Sequence, residues 1–583
     1  MSDGKNETQH TQHAFLVAWG WFAQDIGLIE RFQALKLKQK HYHHTPQTKV
    51  LEFLVSILGG LEHLQDISLA AHPLDKDDAV AQAWGQPQWA NYSGVSRTLS
   101  SLTWEEVHQI VQILDEISQR YIDAETQLIR SQGQPVQHDG DLTGIPVSNT
   151  SQSYQNAAFG HMDDEIRLGY QVAVNSMESP TYGRLWLSGA HHPGDTVSCT
   201  QAEALLLASE ARTGLRPLRR TDWLRRRIQT CEQQMAETKK RQESQEQALQ
   251  KAKIRLAEAE TLAQERQEEL LNQEKAYQER QRKERPTSRL AQTRKRGQAA
   301  AKRLRSRQAA WKEAQKRLDK TTAHWKQEMD SLTVLYQRLK RFEQENASNS
   351  NPIEASYRLD AGFGTYENIA FFVEMGYTVD TKAHGNQAVP YLKKLVNDQT
   401  TWTRVGANAE MVAWSDLQLK KCPYPLDVAL ERFYTGKTLK HSALLHFGTA
   451  PITTDLPGWF KKYNGRQTIE AGIKESKQVF YLHHIKVRSE PAIYLQERFV
   501  LFAANFIRWA SHWLVEQAQP VENALEIGKL GVKRQVRVAA HVSAQVIQNS
   551  EGKMLKFSEQ SAFAGKMLKM APISGPDFRK GKF

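Results

Sequence analysis

Tyr463, Arg466, Glu470 and Lys477 sit in "YNGRQTIEAGIKESK" at intervals of three, four and seven residues. At about 3.6 residues per turn, one continuous helix would bring all four onto a single face. A lone carboxylate flanked by two cations and a phenol suits an anionic ligand with one acid to work on it. Two other acids have comparable settings: Asp141 in "HDGDLTG" and Asp360 in "YRLDAGF". Each ends a predicted strand before a small-residue turn, where α/β sheets expose side chains. Asp139, two residues earlier on the same strand face, is the alternative to Asp141. Three converging carboxylates repel one another unless a cation joins them. Oxygen donors without a His or Cys companion favour Mg²⁺ or Mn²⁺. Two such ions ~3.5–4 Å apart would activate an attacking hydroxyl and stabilise the leaving oxygen of an in-line phosphoryl displacement. Tyr463, Arg466 and Lys477 would then hold the flanking phosphates.

The elements that must position these acids are legible around them. Residues 47–130 read as several short helices. Within them Ser93 and Gly94 read as a turn, and Val95 begins a helix that could present Ser96, Arg97 and Ser100 to DNA. An ordinary helical bundle is the plainer reading. From 132 to 200 apolar and polar residues alternate between Gly, Pro and Asp turns, which predicts three successive strands. "ASYRLDAGF" reads as a strand, "GTYENIAFFVEMG" as a helix and "YTVDTK" as another strand. Residues 385–450 carry further β-like runs, and 491–517 form a long, largely apolar helix expected to pack on the sheet. Trp459 reads first as a core residue and second as a base-stacking platform. The tail from 531 mixes strand-like alternation with basic residues.

Between 222 and 346 the pattern changes. Ile228, Met235, Leu249, Leu256, Ala263, Leu270 and Tyr277 share one seven-residue register, with Gln242 as its polar exception. Leu304, Trp311, Leu318, Trp325, Leu332 and Leu339 share another. Pro286 interrupts the run between the two arms. This predicts an antiparallel coiled-coil hairpin, with Trp311 and Trp325 read first as buried knobs and second as base-stacking platforms. From Arg285 to Lys320 there are 13 Lys/Arg, Arg294, Lys295 and Arg296 among them, against only Glu313 and Asp319. That surplus nearly equals the +12 of the whole chain, so the polyanion-attracting charge is concentrated at the tip and descending arm.

The three cysteines, Cys199, Cys231 and Cys422, form no CxxC pair, which argues against a zinc knuckle or a disulfide framework. The polar N-terminus and the interrupted run "AFLVAWGWFAQDIGLI" predict neither secretion nor membrane insertion, and a cytoplasmic location fits. The runs "HYHH" (41–44) and "LHHI" (482–485) lack a partner set at ligand spacing, so the sequence predicts no metal there.

Taken together, Tyr463, Arg466, Glu470 and Lys477 resemble the Y-R-E-K signature of bacterial insertion-sequence DDE transposases of the insertion-sequence-four superfamily. "DGDLTG" is similar to their first-aspartate strand, "RLDAGF" with "GYTVDTK" to their second-aspartate segment, and "SGVSRTLSSLT" to the helical segment before their catalytic domain. The resemblance covers roughly 45–215 and 352–550. It implies an α/β RNase H-like core with a β-rich insertion, behind an N-terminal helical DNA-binding domain. It also implies two Mg²⁺ (or Mn²⁺) ions held by Asp141, Asp360 and Glu470. Cleavage at the ends of a mobile element, strand transfer into double-stranded target DNA and a synaptic homodimer in the bacterial nucleoid would follow. The coiled-coil hairpin inserted between the two aspartates departs from the family. The expected divisions are an N-terminal segment (1–44), a helical DNA-binding domain (45–130), core parts at 132–220, 352–384 and 456–520, the hairpin (222–346), the β-rich insertion (385–455) and a C-terminal region (521–583). A catalytically retired DNA-binding protein using the hairpin as an arm, and a nuclease that cuts without joining, are the competing readings.

Overall fold

The run "AFLVAWGWFAQD" is apolar on every side, and a helix of that kind must be covered all round. In the computed structural model, which describes residues 7–39, 43–149, 154–162, 165–385, 388–549 and 552–571, it forms α1 (Ala14–Asp25), buried from Ala14 to Ala23. It follows the short strand β1 (Glu7–Thr11) and precedes α2 (Leu28–Gln33). Next come α3 (Pro46–Leu58), α4 (Asp66–Leu69), α5 (Asp78–Ala83), α6 (Tyr92–Ser100) and α7 (Trp104–Ser131). Ser93 and Gly94, expected as a turn, lie inside α6. Asn91 caps that helix, its Oδ1 accepting from the Gly94 amide at 2.8 Å, so the first turn begins earlier than the glycine suggests. A reciprocal Thr103–Glu106 capping box opens α7.

Four strands follow rather than the three expected: β2 (Val136–Pro146), β3 (Ala158–Met162), β4 (Glu165–Ser179) and β5 (Gly183–Pro193). The unforeseen β3 is a five-residue edge strand containing a glycine, too short for its alternation to register. Helix α8 (Ala202–Thr213) leads to the long helices α9 (Thr221–Glu279) and α10 (Arg289–Ser348).

After them the sheet resumes with β6 (Ala355–Arg358), α11 (Tyr366–Glu374), β7 (Thr378–Lys382) and α12 (Ala388–Leu395). Strands β8 (Thr403–Arg404), β9 (Ala409–Leu417), β10 (Leu426–Thr435) and β11 (Thr438–Phe447) fill the segment predicted to be β-rich. They extend the same sheet, because β11 pairs with β7. The ten strands run β3-β4-β2-β6-β7-β11-β10-β9-β8, with β5 also on β4. Only β2–β6 and β6–β7 are parallel, so the sheet is mixed, with α11 as the crossover of the second pair.

Helices α13 (Leu456–Asn464), α14 (Gln467–Gln478) and α15 (Glu490–Gln517) follow. The long apolar α15 packs on β5 as expected, and also on α7, α3 and α1. The tail forms α16 (Val532–Arg537) and β12 (Ala544–Asn549), β13 (Gly552–Phe557) and β14 (Met567–Met570). With β1 these strands make a second sheet, so the two ends of the chain pair with each other.

The chain divides into two compact units, 1–218 with 351–583, and 219–350. The helices α1–α7 share the first unit with the large sheet. The second unit is the hairpin of α9 and α10, in contact along their lengths, with arms of 59 and 60 residues and thus on the order of 90 Å long. Ser288 caps the second arm by accepting from the Ala291 amide. Leu224, Ile228, Leu332, Leu335 and Phe342 are buried near its base, and Thr238 and Gln242 form a polar layer above them. Trp311 and Trp325 are only half-buried, not the enclosed knobs expected. A two-helix seam leaves the flanks of a large ring open, and Lys239 Nζ lies 5.1 Å from the Trp325 ring centroid.

Candidate active site

Strand register explains how acids 219 residues apart become neighbours. In the parallel β2–β6 pair Asp139 stands opposite Arg358. Asp141 lies two residues further along β2 on the same face, and Asp360 two residues past Arg358, just beyond the end of β6. The Asp139–Arg358 pair is itself a buried fork, with Nε donating to Oδ1 at 2.6 Å and Nη2 to Oδ2 at 2.8 Å. Burial pushes the Asp139 carboxyl up, and Arg358 opposes that shift. Asp139 is therefore spoken for, which removes it as the alternative to Asp141. Arg358 also donates from Nη1 to the Lys462 carbonyl at 2.9 Å, drawing α13 onto this end of the sheet.

Glu470 lies in the first turn of α14 and is linked to Asp141 through Arg466, but it does not sit on the single helix that its spacing suggested. The chain breaks between Asn464 and Gln467. Gly465 and Arg466 have φ/ψ near −53/−20° and −54/−25°, and the Arg466, Thr468 and Ile469 amides each bond three residues back at 3.0 Å. The joint is a tight 3₁₀-like turn. A Cβ on Gly465 would lie 2.3 Å from Arg358 Nη1, so a larger residue here would have to displace the guanidinium that Asp139 holds. Tyr463 consequently belongs to α13, while Glu470 and Lys477 share a face of α14.

Arg466 lies between the acids. Its Nη2 is 3.2 Å from Asp141 Oδ2, and its Nη1 donates to Glu470 Oε1. Asp141 Oδ1 also accepts from the Leu142 amide at 2.8 Å. Asp360 Oδ1 accepts from the Phe363 amide at 3.3 Å, which holds the turn after β6. Burial raises the Asp141 pKa to about 7; Arg466 opposes the shift, while the charges of Asp360 and Glu470 add to it. Burial works against the Arg466 charge, yet Asp141, Tyr463, Asp360 and Glu470 hold its pKa above the ordinary value. Tyr463 is buried, its phenol pushed up by desolvation, and its ring stacks at 6.2 Å on Trp459.

The residues around the acids bear out some expectations and correct others. Trp459 is a core residue, its Nε1 donating to Asp380 Oδ1 at 2.8 Å; His446 Nδ1 lies 2.7 Å from the same oxygen. Lys477 is half-buried near the end of α14. Arg97 and Ser100 are exposed on α6, with Ser96 half-buried. On the hairpin, Lys295 and Arg296 face solvent, whereas Arg294 is bound by Glu274 and Glu284 at 2.8 and 2.7 Å.

Three positioning arginines escaped the sequence reading. Besides Arg358, Arg184 on β5 crosses α14 at Gly472, where a Cβ would fall 2.1 Å from its guanidinium. Arg184 donates to the Thr468 carbonyl and lies 3.6 Å from Glu475 Oε1. Arg508 of α15 holds Glu475 from the other side at 3.0 Å. The only signals were a basic residue two before Asp360 and a glycine two after Glu470.

The ligand oxygens of Asp141, Asp360 and Glu470 do not all lie within 4.8 Å of one another. Among the described residues, only Glu62, His63 and His484 form a His/Cys/Asp/Glu group that tight. Among the described residues no helix is long and apolar enough to cross a membrane. No model of a known protein family matches the chain, and neither does any curated protein.

Proposed function

We propose that the chain is a DDE transposase with an RNase H-like catalytic core, which cuts double-stranded DNA at the ends of a mobile element and joins those ends to target DNA. The observation that carries this reading is Arg466 bridging Asp141 and Glu470, with Asp360 near enough for its charge to act on Asp141. The donor set fits divalent cations: three carboxylates, no imidazole or thiol, and one acid, Asp141, whose pKa is raised first by burial and further by the charges of Asp360 and Glu470, against the opposing pull of Arg466. Asp141, Asp360 and Glu470 would hold the ions, and a spread wider than a single coordination sphere suits two of them better than one. Bound ions supply Lewis-acid activation of the attacking oxygen and stabilisation of the leaving oxygen.

The chain's own groups position the DNA. Arg466, a planar guanidinium among the acids, would bind the non-bridging oxygens of the scissile phosphate, and Lys477 a phosphate further along the strand. The buried Tyr463 limits water around the reacting phosphorus. In each step an oxygen–phosphorus bond forms to the incoming hydroxyl, and the bond to the 3′ oxygen breaks. The proton of the attacking hydroxyl is lost, and the leaving oxygen takes one up. Exposed Lys295 and Arg296, with Arg97 on α6, would add sequence-independent phosphate contacts, and a homodimer would bring two element ends together.

The test is a strand-transfer assay with Mg²⁺ on DNA carrying the inverted repeats that flank the coding region. Joined product supports transposition. Cleavage without joining would make the protein a nuclease, and neither product would leave a DNA-binding protein.

A further inference from the structure

Sequence spacing gave "LHHI" no partners, but the fold provides them. Glu62 and His63 lie in the loop between α3 and α4, and His484 in the loop between α14 and α15. One ligand atom from each lies within 4.8 Å of the other two. His484 Nδ1 is 2.9 Å from Glu62 Oε1, and His63 Nε2 is 3.9 Å from that oxygen. A tetrahedral ion with bonds of ~2.0–2.1 Å spaces its ligand atoms ~3.3–3.4 Å apart, between these two separations. The imidazoles of His63 and His484 are nearly parallel, at 10° and 5.6 Å between centroids. We propose that Glu62, His63 and His484 form a binding site for a transition-metal ion of the Zn²⁺ class, distinct from the three-carboxylate site.

The backbone around the group is already fixed. Lys486 Nζ donates to the Glu62 carbonyl at 2.7 Å and also to the Leu61 carbonyl, tying one loop to the other. The His63 amide donates to Asp66 Oδ2 at 2.7 Å. Metal sites of high affinity need ligands held in advance by such supporting bonds. Both imidazoles are within ion-pair range of Glu62, at 2.9 and 3.9 Å; the longer of the two is too far for a hydrogen bond yet within bridging distance of an ion. Two imidazoles and one carboxylate select Zn²⁺ and its neighbours over Mg²⁺. Three protein ligands leave a fourth position, on the exposed side of His63, for water or an exchangeable ligand. The bound ion would cross-link the α3–α4 loop to the chain segment that leaves α14, the helix bearing Glu470.

The experiment uses untagged full-length protein stripped with a chelator, then titrated with Zn²⁺ in excess Mg²⁺ against a chromogenic chelator. Mass spectrometry of the metal content gives the stoichiometry. The expected result is one Zn²⁺ per chain, retained in Asp141→Asn and Glu470→Gln. His484→Ala and His63→Ala should each weaken binding at least about tenfold. Because His63 is exposed, its variant separates ligand loss from misfolding, which circular dichroism checks. Co²⁺ should give visible ligand-field bands that the same two variants lose. A wild-type chain that fails to take up Zn²⁺ in this titration, or a folded His63→Ala that binds like wild type, overturns the site.

Discussion

Asp141 carries the most informative single property in the molecule. A carboxyl whose native pKa is raised contributes its full stability below the ordinary value of 3.8 and loses it as pH climbs through about 7. The metal-free protein should therefore lose about 3–4 kcal/mol from this group between pH 4 and 7. Asp141→Asn escapes that loss, so urea unfolding at pH 8 should give the variant the higher midpoint, though it should neither cleave nor join DNA. An equal or lower midpoint would mean that burial does not weigh on this carboxylate. Arg466 makes the complementary prediction. Arg466→Gln removes the cation that restrains the Asp141 shift, so the pH midpoint of Mn²⁺ binding should move upward from about 7. A midpoint that stays in place would show that Arg466 does not govern this acid.

At the scale of elements, α14 is positioned by arginines that pass where glycines leave room. Gly472→Ala would drive a methyl group to 2.1 Å from the Arg184 guanidinium. It should destabilise the protein by about 1–3 kcal/mol and lower activity by displacing Glu470. Gly297→Ala, in the N-terminal part of α10 where an added Cβ would meet nothing nearer than Leu270 Cδ2 at 3.9 Å, should stabilise the hairpin by about 0.5–1 kcal/mol. Thermal melts of the two variants should move in opposite directions, and a shared direction would refute the packing argument. These arginine crossings also mark what the sequence could not disclose. The heptads of α9 and α10, the strands carrying Asp141 and those of 409–447, and the apolar α15 follow local periodicity and were legible. The Asp139–Arg358 fork needs a parallel register across 219 residues, which no local pattern encodes. The break at Gly465 keeps nearly helical dihedrals, so the YREK spacing looked continuous. His63 and His484 come from two loops that only the tertiary fold brings together.

For the whole molecule the chain divides into two compact units, 1–218 with 351–583, and 219–350. Arg219 and Asn346 exchange hydrogen bonds of 2.7 and 2.9 Å at the foot of the hairpin, and the Ile353 amide donates to the Arg216 carbonyl at 3.3 Å. Deleting 224–345 behind a short Gly/Ser linker thus removes a loop whose ends already meet. The remaining core should fold and retain cation-dependent cleavage, while filter binding at low salt should show weaker DNA affinity once the basic tip is gone. Unchanged affinity would deny the hairpin a docking role. The central claim is that acids from β2, the end of β6 and α14 share divalent ions, and Mn²⁺ binding tests it most directly. In a His63→Ala/His484→Ala background, equilibrium dialysis at pH 8 should give two Mn²⁺ per chain. Asp141→Asn, Asp360→Asn and Glu470→Gln should each abolish or sharply weaken that uptake. Folded variants that bind Mn²⁺ as well as their parent would contradict the account.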